Sequence, residues 1–393
     1  MIPQLSLAER DRRYKKVREG MARQGIDYLL LPANTGRWEQ MMADSRYLTS
    51  IGGFATEVFT VFPLEGEVTA FVYNRAGWWK QVQNWVRDVR DGRNQWAQNA
   101  IGRLKEAGFK KGKIGISGLS GLIRAPDGII PYATVRTIQE AFPQAQLVNA
   151  TEMMQEIRAV KSEEEVSFLE CSASIIEKVI ETMAETVRPG ITEKDLYASM
   201  THTMLKNGGE LPTLFFLGTG PEVTSSSFVP TNRVIQMGDR VVNEIEAKYG
   251  GYAAQAVSPL VLGEPQRDYR EMVELSAACF NAVLEKMRPG VTFGALFDTY
   301  TDTIERYGKG NFLWNHPMMH ARGLGDDGPA LLGDKDLARF RGIELRTGMA
   351  FILKPQVRVA QGKGRASIGD TVVVTENGAR RLGKRQLKLI VVE

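Results

Sequence analysis

The chain has 393 residues, more than one ordinary domain holds, so two domains are expected. With 43% hydrophobic and 24% charged residues it has the balance of a folded globular protein, which excludes a disordered or fibrous chain. A net charge of +4 falls short of the basic stripe that nucleic acid demands; the runs Arg10–Lys16 and Arg380–Lys388 read as solvated faces, and no nucleic-acid partner is expected.

The N-terminus, MIPQLSLAERDRR, lacks the apolar core of a signal peptide, and no later apolar run reaches the length of a membrane span. A cytoplasmic protein with no membrane partner is expected. Ser6 with Glu9 three residues on predicts a capping box, then a polar-rich helix to about Gln24 with Gly25 as terminator. Asp27 to Pro32 reads as a buried strand. Val58–Phe62 and Val68–Tyr73 are β-rich runs around Leu64-Glu65-Gly66-Glu67, a hairpin signal. Lys113–Ile116 and Ala145–Val148 are further short strands with helical stretches between. An α/β domain ending near residue 150 follows. Trp78, Trp79, Trp85 and Trp96 fall in it and read as core or dimer packing. Ser162 with Glu165 repeats the capping pattern, and Val166, Leu169, Ala173, Ile176, Ile180 and Met183 recur at helical spacing. Cys171 and Cys279 lie in helix-like apolar stretches and are expected to be buried reduced thiols.

The second half carries a repeat. Val187-Arg188-Pro189-Gly190-Ile191-Thr192 returns as Met287-Arg288-Pro289-Gly290-Val291-Thr292. Each copy ends one helical pattern and starts another, at Glu193–Met204 and Phe293–Tyr307. Pro and Gly stop a helix and Thr caps the next, so the same punctuation twice predicts two related halves.

Near the C-terminus, Gly348-Met349-Ala350-Phe351-Ile352-Leu353-Lys354-Pro355 resembles the "GMvFtiEP" strand of the creatinase/aminopeptidase P family. Gly238-Asp239-Arg240-Val241-Val242, Gly250-Gly251-Tyr252 and Val372-Val373-Val374-Thr375-Glu376-Asn377-Gly378 match that family's framework. Arg158 to Glu165 is similar to its domain junction. The resemblance covers nearly the whole chain. It implies a creatinase-like N-terminal α/β domain (1–155) and a pseudo-two-fold pita-bread α+β domain (156–393), with the site between the two halves on the sheet. It also implies a homodimer. In such dimers the first domain of one subunit helps close the other's site, and Ile51–Glu57 stands where the family makes those contacts.

Metal-dependent relatives place two aspartates, a histidine and two glutamates on this framework, a hard donor set for two divalent ions that activate water. Here the same positions hold Glu244, Gln255, His320, Lys354 and Gly369. One ligand is kept, one is a longer carboxylate and three are lost, and the Lys354 ammonium repels a cation. No metal and no other cofactor is expected. Creatinase works without metal through a histidine base, but that position falls on Ser227; a second flanking histidine is replaced by Asp327.

The candidate constellation is Glu244, Glu246, Gln255, His320, Arg322, Asp326, Asp327, Lys354, Gln356 and Arg358. Strand alternation gives Glu244 and Glu246 one face, and Lys354, Gln356 and Arg358 another. Glu244, His320 and Lys354 form the expected catalytic group: Glu244, raised by burial or held by Lys354, takes a proton, His320 (helped by His316) returns it, and Lys354 with Arg358 holds a carboxylate or an oxyanion. Glu246, Gln255, Ser227, Arg322, Asp327, Gln356 and Arg358 are the substrate-binding candidates. Plainer readings stand beside these. Glu244–Lys354 is then a buried ion pair filling the former metal cavity, His320 a framework histidine, Asp326-Asp327-Gly328 a turn, and Arg358 a strand-face ion-pair partner. The leading expectation is a metal-independent creatinase-like hydrolase cleaving a C–N bond of a small polar or carboxylate-bearing compound. The alternatives are a catalytically silent pita-bread binding protein, a lyase working by proton abstraction, and an Xaa-Pro-type metallopeptidase.

Overall fold

The computed structural model of the chain describes residues 2–32, 43–53, 56–122, 125–222, 229–315, 319–330, 334–361 and 364–393. It divides into two compact units, Met1–Glu164 and Glu165–Glu393.

In the first unit the order is α1 (Leu7–Gln24), β1 (Tyr28–Leu31), α2 (Ala43–Thr49), β2 (Val58–Pro63), β3 (Thr69–Val72) and α3 (Ala76–Val82). Then come β4 (Asp88–Asp91), α4 (Trp96–Glu106), β5 (Gly112–Ile116), α5 (Tyr132–Ala141), β6 (Ala145–Asn149) and α6 (Thr151–Ala159). Its six strands form one mixed sheet in the order β4-β3-β2-β1-β5-β6. Leu30, Phe59, Val61, Phe71, Ile114 and Ile116 on the strands pack with Ile101, Leu104 and Ile138 on the helices in a single core. Ser6 caps α1 by accepting from the Glu9 N–H at 3.0 Å, and Gly25 ends it in the left-handed conformation. The box is half-formed, because the Glu9 side chain turns to Arg12 and Arg13. Trp79 and Trp85 are buried here, Trp96 stacks on Phe59, and Trp78 is exposed. The division falls after Glu164, later than the expected 155, because α6 is tied into the first unit. Buried Arg158 pairs with Asp44 at 2.7 Å, and the Thr151 hydroxyl accepts from the Gly118 N–H at 2.8 Å.

The second unit runs α7 (Glu163–Thr186), α8 (Glu193–Lys206), β7 (Phe215–Gly220), β8 (Arg240–Tyr249), β9 (Tyr252–Val257) and β10 (Leu260–Leu262). It continues with α9 (Arg267–Lys286), α10 (Phe293–Gly308), β11 (Phe312–Asn315), β12 (Met319–Ala321), α11 (Asp334–Phe340) and β13 (Ala350–Leu353). It ends with β14 (Gln356–Val359), β15 (Arg365–Ser367), β16 (Gly369–Thr375), β17 (Gly378–Arg381) and β18 (Ile390–Val392). Nine strands form one sheet, β12-β13-β16-β9-β8-β10-β18, with β7 added on β8 and β17 on β16; β11, β14 and β15 form a separate small sheet.

The repeated Pro-Gly-x-Thr punctuation makes the two halves visible. Thr192 caps α8 and Thr292 caps α10. The Gly190 N–H donates to Ile235 O at 3.0 Å, and the Gly290 N–H donates to Leu345 O at 2.9 Å. Thr192 bridges Val234 as Thr292 bridges Glu344. Gly238 and Gly348, which open the two strand runs, both sit at positive φ (88° and 85°), where a side chain is strained. Cys279 is buried as expected, but Cys171 is exposed, on the outer face of α7. Among the described residues no helix is long and apolar enough to cross a membrane.

Candidate active site

Glu244 and Glu246 lie on the same face of β8, as alternation requires. Their surroundings differ sharply. Glu246 is fully buried. It accepts from Gln255 Nε2 at 2.9 Å, from the Thr213 N–H at 3.1 Å and the Leu214 N–H at 3.3 Å, and it pairs with the fully buried Arg322. Gln255 stands directly opposite Glu246 in the β8–β9 register, and its main chain is held by reciprocal hydrogen bonds with the Thr371 hydroxyl. Its Oε1 is buried without a hydrogen-bond partner among the described residues. Arg322 reaches on to Asp326 Oδ1 at 3.4 Å, and the His320 Nδ1 lies 3.5 Å from that same oxygen and 3.2 Å from Ala321 O. Asp327 accepts from the Leu324 and Gly325 N–H groups at 3.1 Å each and so closes the turn after β12.

Glu244 remains 18% exposed and accepts from the Lys354 ammonium, itself 6% exposed. Burial pushes the Glu244 carboxyl up. The charge and hydrogen bond of Lys354, with His320 and Arg322 behind them, outweigh burial and hold it below the usual carboxylate range. Of the two sequence readings, the carboxylate is held by Lys354 rather than raised by burial.

Three expectations are corrected. Lys354, Gln356 and Arg358 do not share one strand face. Pro355 has no N–H to donate and biases the residue before it, so β13 stops at Leu353 and the chain crosses to the small sheet at Gln356. Glu246, Gln255 and Arg322 form an internal network sealed from solvent, not a substrate surface. Asp327 is the turn residue of the plainer reading. Ser227 and His316 lie outside the described residues.

What faces solvent beside Glu244 is a cleft lined by Asn243, Glu244, Tyr269, Gln356, Arg365 and Ser367, with Val242, Val257, Pro259 and Ala366 as its apolar wall. Asn243 is committed to Ser258, donating to its carbonyl at 2.7 Å and accepting from its N–H at 3.0 Å. Burial pushes the Tyr269 hydroxyl up to about 12, and Arg240 stacks on its ring at 4.2 Å. Arg365 was missed in the sequence; only its strand register identifies it.

The donor set does not fit a pair of divalent ions. Glu244 is bound by an ammonium and Glu246 by a guanidinium. A Cβ at Gly369 would meet the Lys354 Cβ at 2.6 Å and Leu353 O at 2.9 Å, so the position of the last glutamate has no room for a side chain. Neighbouring Asp370 is turned away to Arg381 and Arg385, each at 3.1 Å. At about 4 Å and an effective dielectric near 20, an ammonium repels a divalent cation by roughly 8 kcal/mol. No group of three or more His, Cys, Asp or Glu side chains that could hold a metal occurs among the described residues.

Comparisons place this geometry among known proteins. A profile of metallopeptidase family M24 matches residues 167–376, and one of the creatinase/prolidase N-terminal domain matches residues 13–160. The chain is 26% identical over 265 residues to an Xaa-Pro dipeptidase of Pyrococcus furiosus, covering 67% of this chain and 74% of that protein. It is 28% identical over 285 residues to a probable dipeptidase, PepE, of Mycobacterium tuberculosis, covering 69% and 73%. Among solved structures it superposes on the X-Pro aminopeptidase of Thermotoga maritima with a TM-score of 0.79 at 21% identity, over 96% of this chain and 99% of that one. The prolidase of Pyrococcus horikoshii gives 0.77 at 22% identity, over 95% and 99%. At such identity these structures speak for the fold alone.

Proposed function

Since this chain belongs to metallopeptidase family M24, a family of hydrolases, we propose that it hydrolyses a C–N bond of a small polar or carboxylate-bearing compound by acid–base chemistry, without the family's metal pair. The observation that carries this reading is the Glu244–Lys354 pair, in which Glu244 lines the cleft and Gly369 is closed against Lys354.

In this reading Glu244 takes a proton from the attacking water as the C–O bond forms. Lys354 faces the oxygen on which negative charge grows, then gives its proton to the departing nitrogen as the C–N bond breaks. The proton held by Glu244 returns to Lys354, and the site is restored. Held low by Lys354, Glu244 is ionised at neutral pH, the form a base needs, and once Lys354 has given up its proton it can take back the one that Glu244 holds. His320 is buried and is not among the residues lining the cleft.

A second reading, metal-dependent cleavage of Xaa-Pro bonds, is favoured by the activity named for the Pyrococcus relatives. One assay separates the two. Purified protein is stripped with a chelator and offered Xaa-Pro dipeptides and small carboxylate-bearing amides, with and without Mn²⁺, Co²⁺ or Zn²⁺. The first reading expects equal turnover with and without metal. Turnover only after metal is added establishes the second.

A further inference from the structure

The antiparallel register of β14 on β15 sets Arg358 directly opposite Arg365, and Gln356 directly opposite Ser367. Residues so paired project from the same face of the sheet, so both arginine side chains rise from one face. Like charges directly across a strand pair destabilise it. Among the described residues neither arginine has a carboxylate partner. Arg358 Nη1 reaches only Val359 O among the described residues, at 3.5 Å, and the buried Nε of Arg365 has no hydrogen-bond partner among them. Burial shifts the guanidinium of Arg365 below its ordinary value. A half-buried cation with no counter-charge is costly to maintain unless something else supplies one. Arg365 lines the same cleft as Glu244, with Gln356 and Ser367 beside it.

We propose that Arg358 and Arg365 form an anchoring subsite for a carboxylate, which bridges the two guanidinium forks and places the rest of a small molecule against Glu244. A planar carboxylate offers two oxygens to such forks and brings the missing negative charge. A dianionic phosphate fits less well, because Glu244 lines the same cleft. The apolar wall of Val242, Val257, Pro259 and Ala366 suits a short hydrocarbon body. Calling the carboxylate part of a substrate rests on the hydrolase reading above; the subsite itself is read by binding alone.

The test uses matched ligands that differ only at the acid: Gly-Pro and its amide, N-acetylglycine and its amide, with inorganic phosphate as a third class. Each is titrated into the full-length chain, chelated and metal-free, by calorimetry and by thermal shift. Wild-type protein is expected to bind and be stabilised by at least one carboxylate and not by its amide. Arg365→Gln is expected to weaken that binding tenfold or more. Without ligand, Arg365→Gln is expected to melt no lower than wild type, because it removes a half-buried cation that lacks a counter-charge; an ordinary structural arginine would lower the melting temperature. The proposal is overturned if no carboxylate binds, if acid and amide bind alike, if phosphate binds more tightly than every carboxylate, or if Arg365→Gln binds as wild type. Carboxylate binding that survives in a protein showing no metal-free hydrolysis keeps the subsite and removes the hydrolase reading.

Discussion

Replacing Lys354 with methionine keeps the length of the side chain and removes its charge, leaving Glu244 nearly buried without its partner. Breaking one side of a buried pair costs about 3–5 kcal/mol. Glu244 is 18% exposed, so water takes up part of the charge and the lower end, about 3 kcal/mol, applies. The pH dependence fixes the cause. In the wild type the Glu244 carboxyl lies below its ordinary 4.5, so the pair's contribution is full above that value and fades as pH falls through the lower folded value. In Lys354→Met only burial acts strongly, so the carboxyl rises above 4.5. Its penalty is then full above the raised value, fades as pH falls through it, and is gone below the ordinary 4.5. The stability gap between the two proteins should therefore be about 3 kcal/mol near pH 8 and shrink steadily toward pH 4. Denaturant melts across that range measure it. Adding Glu244→Gln to Lys354→Met should recover most of the loss, since no unpaired charge remains. A gap that is flat with pH, or a double variant whose losses simply add, refutes the reasoning.

Other outcomes follow from the same geometry. Gly369→Glu places a Cβ 2.6 Å from that of Lys354 and should cost about 1–3 kcal/mol by overpacking, seen as a lower melting temperature. The double variant Gly369→Glu, Lys354→Glu should still take up no stoichiometric metal by elemental analysis. Arg322→Met leaves Glu246 buried with only neutral donors and should cost about 3–5 kcal/mol, read by denaturant melts or by loss of soluble protein. A thiol reagent should label Cys171 in the native protein and Cys279 only on unfolding, because Cys279 is buried and its thiol is pushed up to about 12.

Sequence punctuation carried most of the fold. The twin Pro-Gly-x-Thr segments and the two strand-opening glycines reappear as twin caps and twin hydrogen bonds, because turn chemistry is local. The Glu244–Lys354 contact, between residues far apart in the chain, was legible only through the family framework. What failed was whatever depended on tertiary register. The break at Lys354-Pro355 had a local signal, the missing proline N–H, but alternation was carried across it. Glu246 and Arg322 read as a site because both are charged; only their mutual burial shows that they neutralise each other. Arg365 had no sequence signal, since its meaning comes from standing opposite Arg358.

The central claim is that chemistry at this site runs on Glu244 and Lys354 in place of a metal pair. Metal content and turnover measured on the same reconstituted sample test it most directly. After incubation with Mn²⁺ and removal of excess, the account predicts well under one ion per chain, with turnover unchanged from the chelated protein. Two ions per chain, with turnover rising in step with occupancy, would contradict it.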